Sequence, residues 1–241
     1  MTGPVASLPM HDWPELRGAT DAFWAALRDA LRAQGLAAPE RLARDGSHWS
    51  NPELALSQTC GLPYRNRLHA EVTLIGALDY GLDECPPGYY RSALVAREDD
   101  PRAAAADFSD ARFAYNALDS QSGWAALEAA LGPRAPAAGL RTGAHRASIQ
   151  AVAAGAAEIA AVDAVSWRLA QIWEPAAARL RAVGWTRPTP GLPMITAQGR
   201  NPAPYAAAVA VGIAALDPAS RATLGLRGFR PFAPDVYLAA A

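Results

Sequence analysis

The chain has 241 residues, of which 51% are hydrophobic, and its formal net charge is −1. This length allows one large domain or two lobes of ordinary size, with enough apolar residues for a core. The near-zero charge excludes the basic surface with which proteins bind nucleic acid or acidic membranes.

The first third of the chain alternates strand-like and helix-like segments. Residues 5–10 are predicted as a strand, and apolar residues at spacings of three and four predict an amphipathic helix from Pro14 to the stop at Gly35. The next predicted elements are a candidate strand at 41–44, a turn of helix at 51–53, and strands at 54–59 and 71–78.

The same alternation continues to the C-terminus. Strands are predicted at 89–97, 112–115, 140–143, 158–163, 180–185 and 194–197, and helices at 124–131, 146–154, 165–172, 204–216 and 217–225. This pattern predicts an α/β fold with mostly parallel sheets. Proline-rich segments at 85–88 and 187–193 suggest an inserted lobe, with residues 1–86 and 190–241 as lobe 1 and residues 87–189 as lobe 2.

All 22 basic residues are arginines, because lysine does not occur in the chain. A lysine Schiff base and a P-loop are therefore excluded, whereas bidentate binding of a carboxylate or phosphonate by arginine is not. We predict no cofactor and no metal site, because the two cysteines lack histidines at zinc-binding spacing.

The turn before the predicted helix 124–131 carries Ser120, Gln121, Ser122 and Gly123. The first N–H groups of a helix have no internal partners, and the helix dipole favours negative charge there. Hydroxyls beside these N–H groups can form an oxyanion site, which Gly123 would let a ligand approach closely. The alternative is an ordinary serine N-cap.

Two further residues follow short strands. His145 is interpreted as a ligand-facing residue or as a structural histidine. Asp163, which ends an apolar strand, is either a ligand-facing carboxylate or the N-cap of the next helix, and both roles are compatible. His11 has the same two interpretations as His145.

Cys60 and Cys85 are both flanked by turn residues. A disulfide, two buried thiols and one reactive thiol at Cys60 all fit this pattern. If bridged, the loop of about 25 residues would stabilise the fold by roughly 3 kcal/mol in the loop-entropy model.

Two location signals are not found in the sequence. No apolar run reaches the roughly 18 residues of a membrane helix, so no direct membrane insertion is predicted. Residues 1–13 lack the basic and long apolar regions of a signal peptide. We therefore expect a cytoplasmic protein if Met1 is the native start, or a chain from which a leader has been removed.

Short motifs along nearly the whole chain resemble a known family. They are Leu8-Pro9-Met10-His11-Asp12, Gly88-Tyr89-Tyr90-Arg91-Ser92, Ser120-Gln121-Ser122-Gly123, Gly143-Ala144-His145-Arg146-Ala147-Ser148 and Ile159-Ala160-Ala161-Val162-Asp163-Ala164. In their order, they resemble the phosphate/phosphite/phosphonate-type substrate-binding components of ABC transporters, which have the type II periplasmic-binding-protein fold.

The resemblance implies two lobes, each a mostly parallel sheet flanked by helices, joined by two hinge strands that close on a small oxyanion. It implies a periplasmic monomer without catalytic activity, with an ABC permease as partner. Ser120, Gln121 and Ser122 would hold anionic oxygens, Tyr90 and His145 would donate hydrogen bonds, and Asp163 would accept from a protonated oxygen or amine. The other implied ligand contacts are Gly123 in the same turn and Met10, His11 and Thr59 in lobe 1.

Two other classes of function stay open at this point. The chain could be an enzyme on the same fold, with His145 as acid and base, Asp163 as its orienter and Cys60 as nucleophile. It could also be a cytoplasmic sensor or the effector module of a regulator.

Overall fold

A computed structural model describes residues 3–46, 48–133 and 136–239. The chain forms two compact units, the first from Met1–Tyr89 and Pro190–Ala241 and the second from Tyr90–Thr189. Each unit contains one five-stranded sheet. The lobe and hinge arrangement drawn from the sequence stays a prediction.

The strands and helices of the described residues are short and alternate along the chain. The strands are β1 (Val5–Ser7), β2 (Leu54–Gln58), β3 (Val72–Asp79), β4 (Tyr89–Tyr90), β5 (Ser92–Arg97), β6 (Phe113–Tyr115), β7 (Leu140–Arg141), β8 (Ile159–Asp163), β9 (Leu180–Trp185), β10 (Thr189–Pro190), β11 (Pro193–Ala197) and β12 (Gly228–Arg230). The α-helices are α1 (Arg17–Ala33), α2 (Gly61–Asn66), α3 (Ala126–Leu131), α4 (His145–Ala153), α5 (Ala164–Trp173), α6 (Pro202–Ala215), α7 (Pro218–Leu224) and α8 (Pro234–Leu238).

Both five-stranded sheets are mixed, so the prediction of mostly parallel sheets needs correction. In the first unit the strand order is β1-β2-β11-β3-β12, and only the β1–β2 pair is parallel. In the second unit the order is β7-β6-β8-β5-β9, and β5 runs antiparallel to both of its neighbours. In the antiparallel β5–β8 pair, β5 begins opposite Asp163, at the carboxyl end of β8.

The first unit is built around α1, whose buried side chains recur at helical spacing. They are Thr20, Phe23, Trp24, Leu27, Ala30 and Leu31. The helix packs against α6, where a Cβ atom on Gly212 would lie 2.8 Å from the Leu27 side chain. Gly212 therefore lets the two helices approach closely.

The core of the second unit lies between its sheet and helix α3. Phe113, Tyr115 and Trp124 form an aromatic cluster with ring centroids 4.9–6.0 Å apart. Leu127 and Ile159 pack in the same buried cluster and are fully buried. These contacts hold the segment that follows β6 against the sheet.

Sequence patterns missed or misplaced several local elements. Residues 41–44 are not a strand. They run beside β1, where the Ala43 N–H donates to the Ala6 oxygen at 2.8 Å. Residues 51–53 form a turn without a helix. Helices α2 and α8 and strand β12 were not predicted. Helix α8 is fixed by tertiary contact, since the buried Tyr237 hydroxyl donates to the Gly191 carbonyl at 2.8 Å.

No single helix among residues 3–46, 48–133 and 136–239 is long and apolar enough to cross a membrane. The sharply bent pair α6 and α7 meets the length and composition criteria only when the two helices are taken together.

An ion-pair network ties the start of the second unit to β8. Arg102 contacts the buried Asp100 carboxylate at 2.7 Å and Glu158 at 2.8 Å. The hydrogen bond from the Arg102 side chain lowers the pKa of Asp100 to about 2 from the usual 3.8. Because the folded-state pKa is the lower one, Asp100 stabilises the fold above its ordinary pKa, and this contribution is lost as the pH falls toward 2.

We therefore expect Asp100→Asn to lower the free energy of unfolding at neutral pH by about 1–2 kcal/mol, allowing for solvent screening. Urea unfolding should show that the difference from the unmodified chain shrinks as the pH falls from about 4 to about 2.5. Asp99→Asn is the matched control, because Asp99 also pairs with an arginine but is 78% exposed. An equal, pH-independent loss in both variants would contradict the assignment.

Candidate ligand-binding site

The predicted site residues of the second unit follow three parallel strands. Strand β6 pairs in parallel with both β7 and β8, so the carboxyl ends of all three lie at one edge of the sheet. Ser122 comes after β6, His145 comes after β7, and Asp163 is the last residue of β8. Ligands of open α/β sheets bind beyond this edge.

Three helices begin at the same edge. Gln121–Ala125 form a π-helical turn that continues directly into α3, His145 is the first residue of α4, and Asp163 is the N-cap of α5. Each helix N-terminus carries a partial positive charge from its aligned peptide dipoles. The edge therefore favours a bound anion.

Ser120 and Ser122 have different roles in the turn after β6. The Ser120 hydroxyl accepts a hydrogen bond from the Gly123 N–H at 2.9 Å, so Ser120 is an N-cap as the alternative interpretation predicted. The Ser122 N–H is on the second residue of the helix and belongs to the first turn, where N–H groups have no acceptor within the helix. Ser122 thus offers both an N–H group and a hydroxyl, and its side chain is buried with 5% exposure.

The structure gives Gly123 a packing role. A Cβ atom at this position would lie 2.0 Å from the Asn116 side-chain oxygen and 3.0 Å from the Ser120 hydroxyl. Its N–H group is already bonded within the turn. Glycine is therefore required by the close approach of Asn116, which explains the residue without a ligand.

Ser122, His145 and Asp163 form one buried cluster. The Ser122 Oγ lies 2.9 Å from His145 Nε2, and the same nitrogen lies 3.4 Å from Asp163 Oδ2. The other Asp163 oxygen accepts the Ser166 N–H at 2.9 Å, so Asp163 is also the predicted N-cap. The His145 side chain is only 12% exposed, and the Asp163 side chain is only 5% exposed.

Ser92 supports the cluster from the neighbouring strand. It lies opposite Asp163 in the β5–β8 pairing, and its hydroxyl donates to the Ser122 carbonyl at 2.9 Å. The sequence analysis did not identify Ser92, because only the strand pairing brings it to this edge. Gln121 is also buried, and Tyr90 lies on β4, two residues before Ser92, with 4% exposure.

The cluster does not have the geometry of a hydrolytic triad. In such a triad the acidic residue holds one ring nitrogen while the nucleophile bonds to the other. Here both Ser122 and Asp163 contact Nε2. Cys60, the other proposed nucleophile, belongs to the first unit, where Cys60 and Cys85 are not joined by a disulfide. Within the described residues, no group of three His, Cys, Asp or Glu could hold a metal ion.

The first unit also places predicted residues beyond the carboxyl ends of its strands. Met10 and His11 follow β1, Thr59 follows β2, and Tyr80 follows β3. His11 and Tyr80 meet edge to face with ring centroids 5.5 Å apart, and the Tyr80 hydroxyl lies 3.5 Å from His11 Nδ1. Tyr80 was missed by the sequence analysis, although its place just after a strong predicted strand was a usable signal.

Thr59 is fully buried. Its hydroxyl oxygen has no hydrogen-bond partner among the described residues. The side-chain nitrogen of the neighbouring Gln58 is likewise buried without a partner there. Buried polar atoms are nearly always paired in folded proteins, so this strand end has unused hydrogen-bonding capacity.

Comparison with solved structures gives the fold. XAC2383 from Xanthomonas citri, solved with chloride ion, is 17% identical with a TM-score of 0.67, covering 98% of this chain and 94% of its own. PhnD1 from Prochlorococcus marinus, in complex with methylphosphonate, is 15% identical with a TM-score of 0.66, covering 97% and 94%. A binding protein component of an ABC phosphonate transporter from Pseudomonas aeruginosa is 14% identical with a TM-score of 0.66, covering 99% and 84%.

These likenesses confirm the predicted α/β class and the type II periplasmic-binding-protein fold. A search of curated proteins found no match. The family model described as "ABC transporter, phosphonate, periplasmic substrate-binding protein" matches residues 54–237, which is most of the sequence. The chain belongs to this family of phosphonate ABC transporter substrate-binding proteins.

Proposed function

We propose that this chain binds a small phosphonate, phosphite or phosphate anion and delivers it to an ABC permease. The observation that carries the proposal is the convergence of the Ser122 hydroxyl and His145 Nε2 where three helices begin. Neutral donors, an imidazole and helix dipoles at one buried edge match the chemistry of a phosphonate head group.

The proposed contacts with the anion come from Ser122 and His145. The Ser122 N–H and hydroxyl would donate to two anionic oxygens, and His145 would donate through Nε2. Hydrogen bonds to charged groups contribute about 1.5–3 kcal/mol each, so three of them supply about 4.5–9 kcal/mol, against the roughly 8.2 kcal/mol of a micromolar dissociation constant. The Ser120 hydroxyl would act by holding the turn, since it already accepts the Gly123 N–H.

Asp163 restricts which anion fits. Because Ser122 Oγ and Asp163 Oδ2 lie 2.9 Å and 3.4 Å from the same His145 Nε2, they are at most 6.3 Å apart. A carboxylate so close to an anion favours a ligand that carries a proton or an ammonium group near the phosphorus. A phosphonate monoanion or an aminoalkylphosphonate satisfies this condition, whereas sulfate at neutral pH does not.

The proposal includes four more specific features. The ligand is trapped between two lobes by hinge closure, and the protein acts as a monomer in the periplasm. Further ligand contacts come from Tyr90, Gln121, Met10, His11 and Thr59. The family match and the fold likeness to PhnD1, solved with methylphosphonate, support them.

A thermal-shift panel tests the proposed ligand class. It would contain phosphate, phosphite, methylphosphonate, aminoethylphosphonate, sulfate, taurine and small carboxylates. A ligand at one hundred times its dissociation constant stabilises the folded state by about 2.7 kcal/mol, which produces a clear shift. We expect a shift with at least one phosphorus oxyanion, and no shift with any of them would contradict the proposal.

Asp163→Asn tests the discrimination between anions. Asparagine retains the N-cap function, and it removes the negative charge. We expect calorimetry to show that sulfate binds about fivefold to tenfold more tightly to the variant, relative to methylphosphonate, than to the unmodified chain. An unchanged sulfate-to-methylphosphonate ratio would show that Asp163 does not select the ligand.

A further inference from the structure

The loop that carries Met10 and His11 contacts two parts of the first unit. His11 lies against the buried Tyr80 ring. The loop and the segment before β2 together line a cavity of about 410 Å³. The lining residues are Leu8, Pro9, Asp12, Leu42, Ala43, Arg44 and Gly46. Side-chain contacts across this space therefore help to fix the position of the loop.

Arg44 connects the loop to the rest of the first unit across this cavity. Its guanidinium contacts the Asp12 carboxylate with one nitrogen and the Asp21 carboxylate of α1 at 2.7 Å with another. The Arg44 and Asp12 side chains are only 29% and 20% exposed. The Ala43 N–H bonds to the Ala6 carbonyl at 2.8 Å, so the backbone that carries Arg44 is attached to β1.

We propose that Arg44 is a positioning residue that fixes the loop 8–12, so that His11 is presented to the ligand. The inference rests on the proposed function, because it takes His11 as a ligand contact. Arg44 acts through the adjacent Asp12, and its positive charge is already matched by two carboxylates. Its role is thus to hold the loop, and it does not itself attract the anion.

A double-mutant cycle separates this role from a general structural one. We would measure methylphosphonate binding by calorimetry for Arg44→Gln, His11→Ala and the double variant. Arg44→Gln should weaken methylphosphonate binding about fivefold, which is the largest effect expected from the loss of one partly exposed ion pair. In the His11→Ala background the same substitution should have no further effect, because the residue through which it acts is gone.

Arg28→Gln is the matched control. Arg28 also contacts two carboxylates of the first unit, Asp29 and Glu40, and its side chain is 22% exposed. Its hydrogen bonds and ion pairs among the described residues are with Asp29 and Glu40, outside the loop 8–12. We expect unchanged methylphosphonate binding in this variant.

Amide hydrogen exchange provides a readout that does not depend on ligand binding. Exchange across residues 8–13 should accelerate in Arg44→Gln and stay unchanged in Arg28→Gln. Unchanged exchange, or a fivefold loss of affinity that persists in the His11→Ala background, would overturn the positioning role. If the unmodified chain binds no phosphorus oxyanion, the proposed function fails, while the exchange comparison still decides whether Arg44 holds the loop.

Discussion

Ser122→Ala is expected to raise the dissociation constant for methylphosphonate by about 10- to 150-fold. The substitution removes one hydroxyl that would donate to a charged oxygen, and such a bond contributes about 1.5–3 kcal/mol. The Ser122 hydroxyl also lies 2.9 Å from His145 Nε2, so the substitution removes one of the two contacts that position this nitrogen, the other being with Asp163. Isothermal titration calorimetry at neutral pH measures the change directly.

Ser148→Ala is the matched control for this prediction. Ser148 is a buried serine on α4, the helix that begins with His145, and its hydroxyl bonds to Thr142 at 2.7 Å. Both variants lose one buried hydroxyl of the second unit, so both should lose a similar free energy of unfolding. Only Ser122→Ala should lose affinity. Equal affinities in the two variants would show that the turn after β6 does not bind the anion.

Gly76→Ala is expected to lower the free energy of unfolding by about 3–5 kcal/mol. Gly76 lies within β3 with a φ of +153°, and a Cβ atom there would lie 2.2 Å from the Arg230 carbonyl oxygen and 2.8 Å from the Pro231 Cα. Both are backbone atoms, so no rotamer change relieves the clash, and the unfavourable φ adds to the cost. Thermal or urea unfolding would measure the loss.

Gly18→Ala controls for the general effect of adding a methyl group. Gly18 lies in α1 with open space at its Cβ position. Alanine there should stabilise the fold by up to about 1 kcal/mol through its higher helix propensity. A small effect in Gly76→Ala would mean that β12 is not held against β3 as the structure shows.

The sequence predicted elements whose pattern is local. Helix α1 follows its apolar spacing, and the apolar strand before Asp163 is strand β8. Strand direction was not predictable in the same way, because β5 and β11 pair with strands that are distant in the sequence. Helix α8 begins with a proline, but it is held by the Tyr237 bond to Gly191, a contact between distant residues.

In the candidate site, too, the sequence predicted local features and missed contacts between distant residues. Ser122 was identified from its place at the start of a predicted helix, and His145 and Asp163 were identified from their places at the ends of strands. The structure brings the three side chains together. Ser92 was missed because its contact depends on which strands are neighbours. Tyr80 was missed although it directly follows a strongly predicted strand, because its contact with His11 joins residues 69 positions apart. The contact that makes Gly123 necessary comes from the Asn116 side chain, whose position the sequence does not specify. Whether His11, Thr59 and Tyr90 contact the ligand stays a prediction.

The most direct test of the central claim is the ¹H–¹⁵N NMR spectrum of the histidine side chains during a methylphosphonate titration. The chain has only four histidines, and His145→Asn identifies the His145 signals by their loss. The account predicts that methylphosphonate shifts the Nε2 signal of His145 and leaves those of His48 and His69 unchanged. Saturable methylphosphonate binding without a change at His145, or no binding at all, would contradict it.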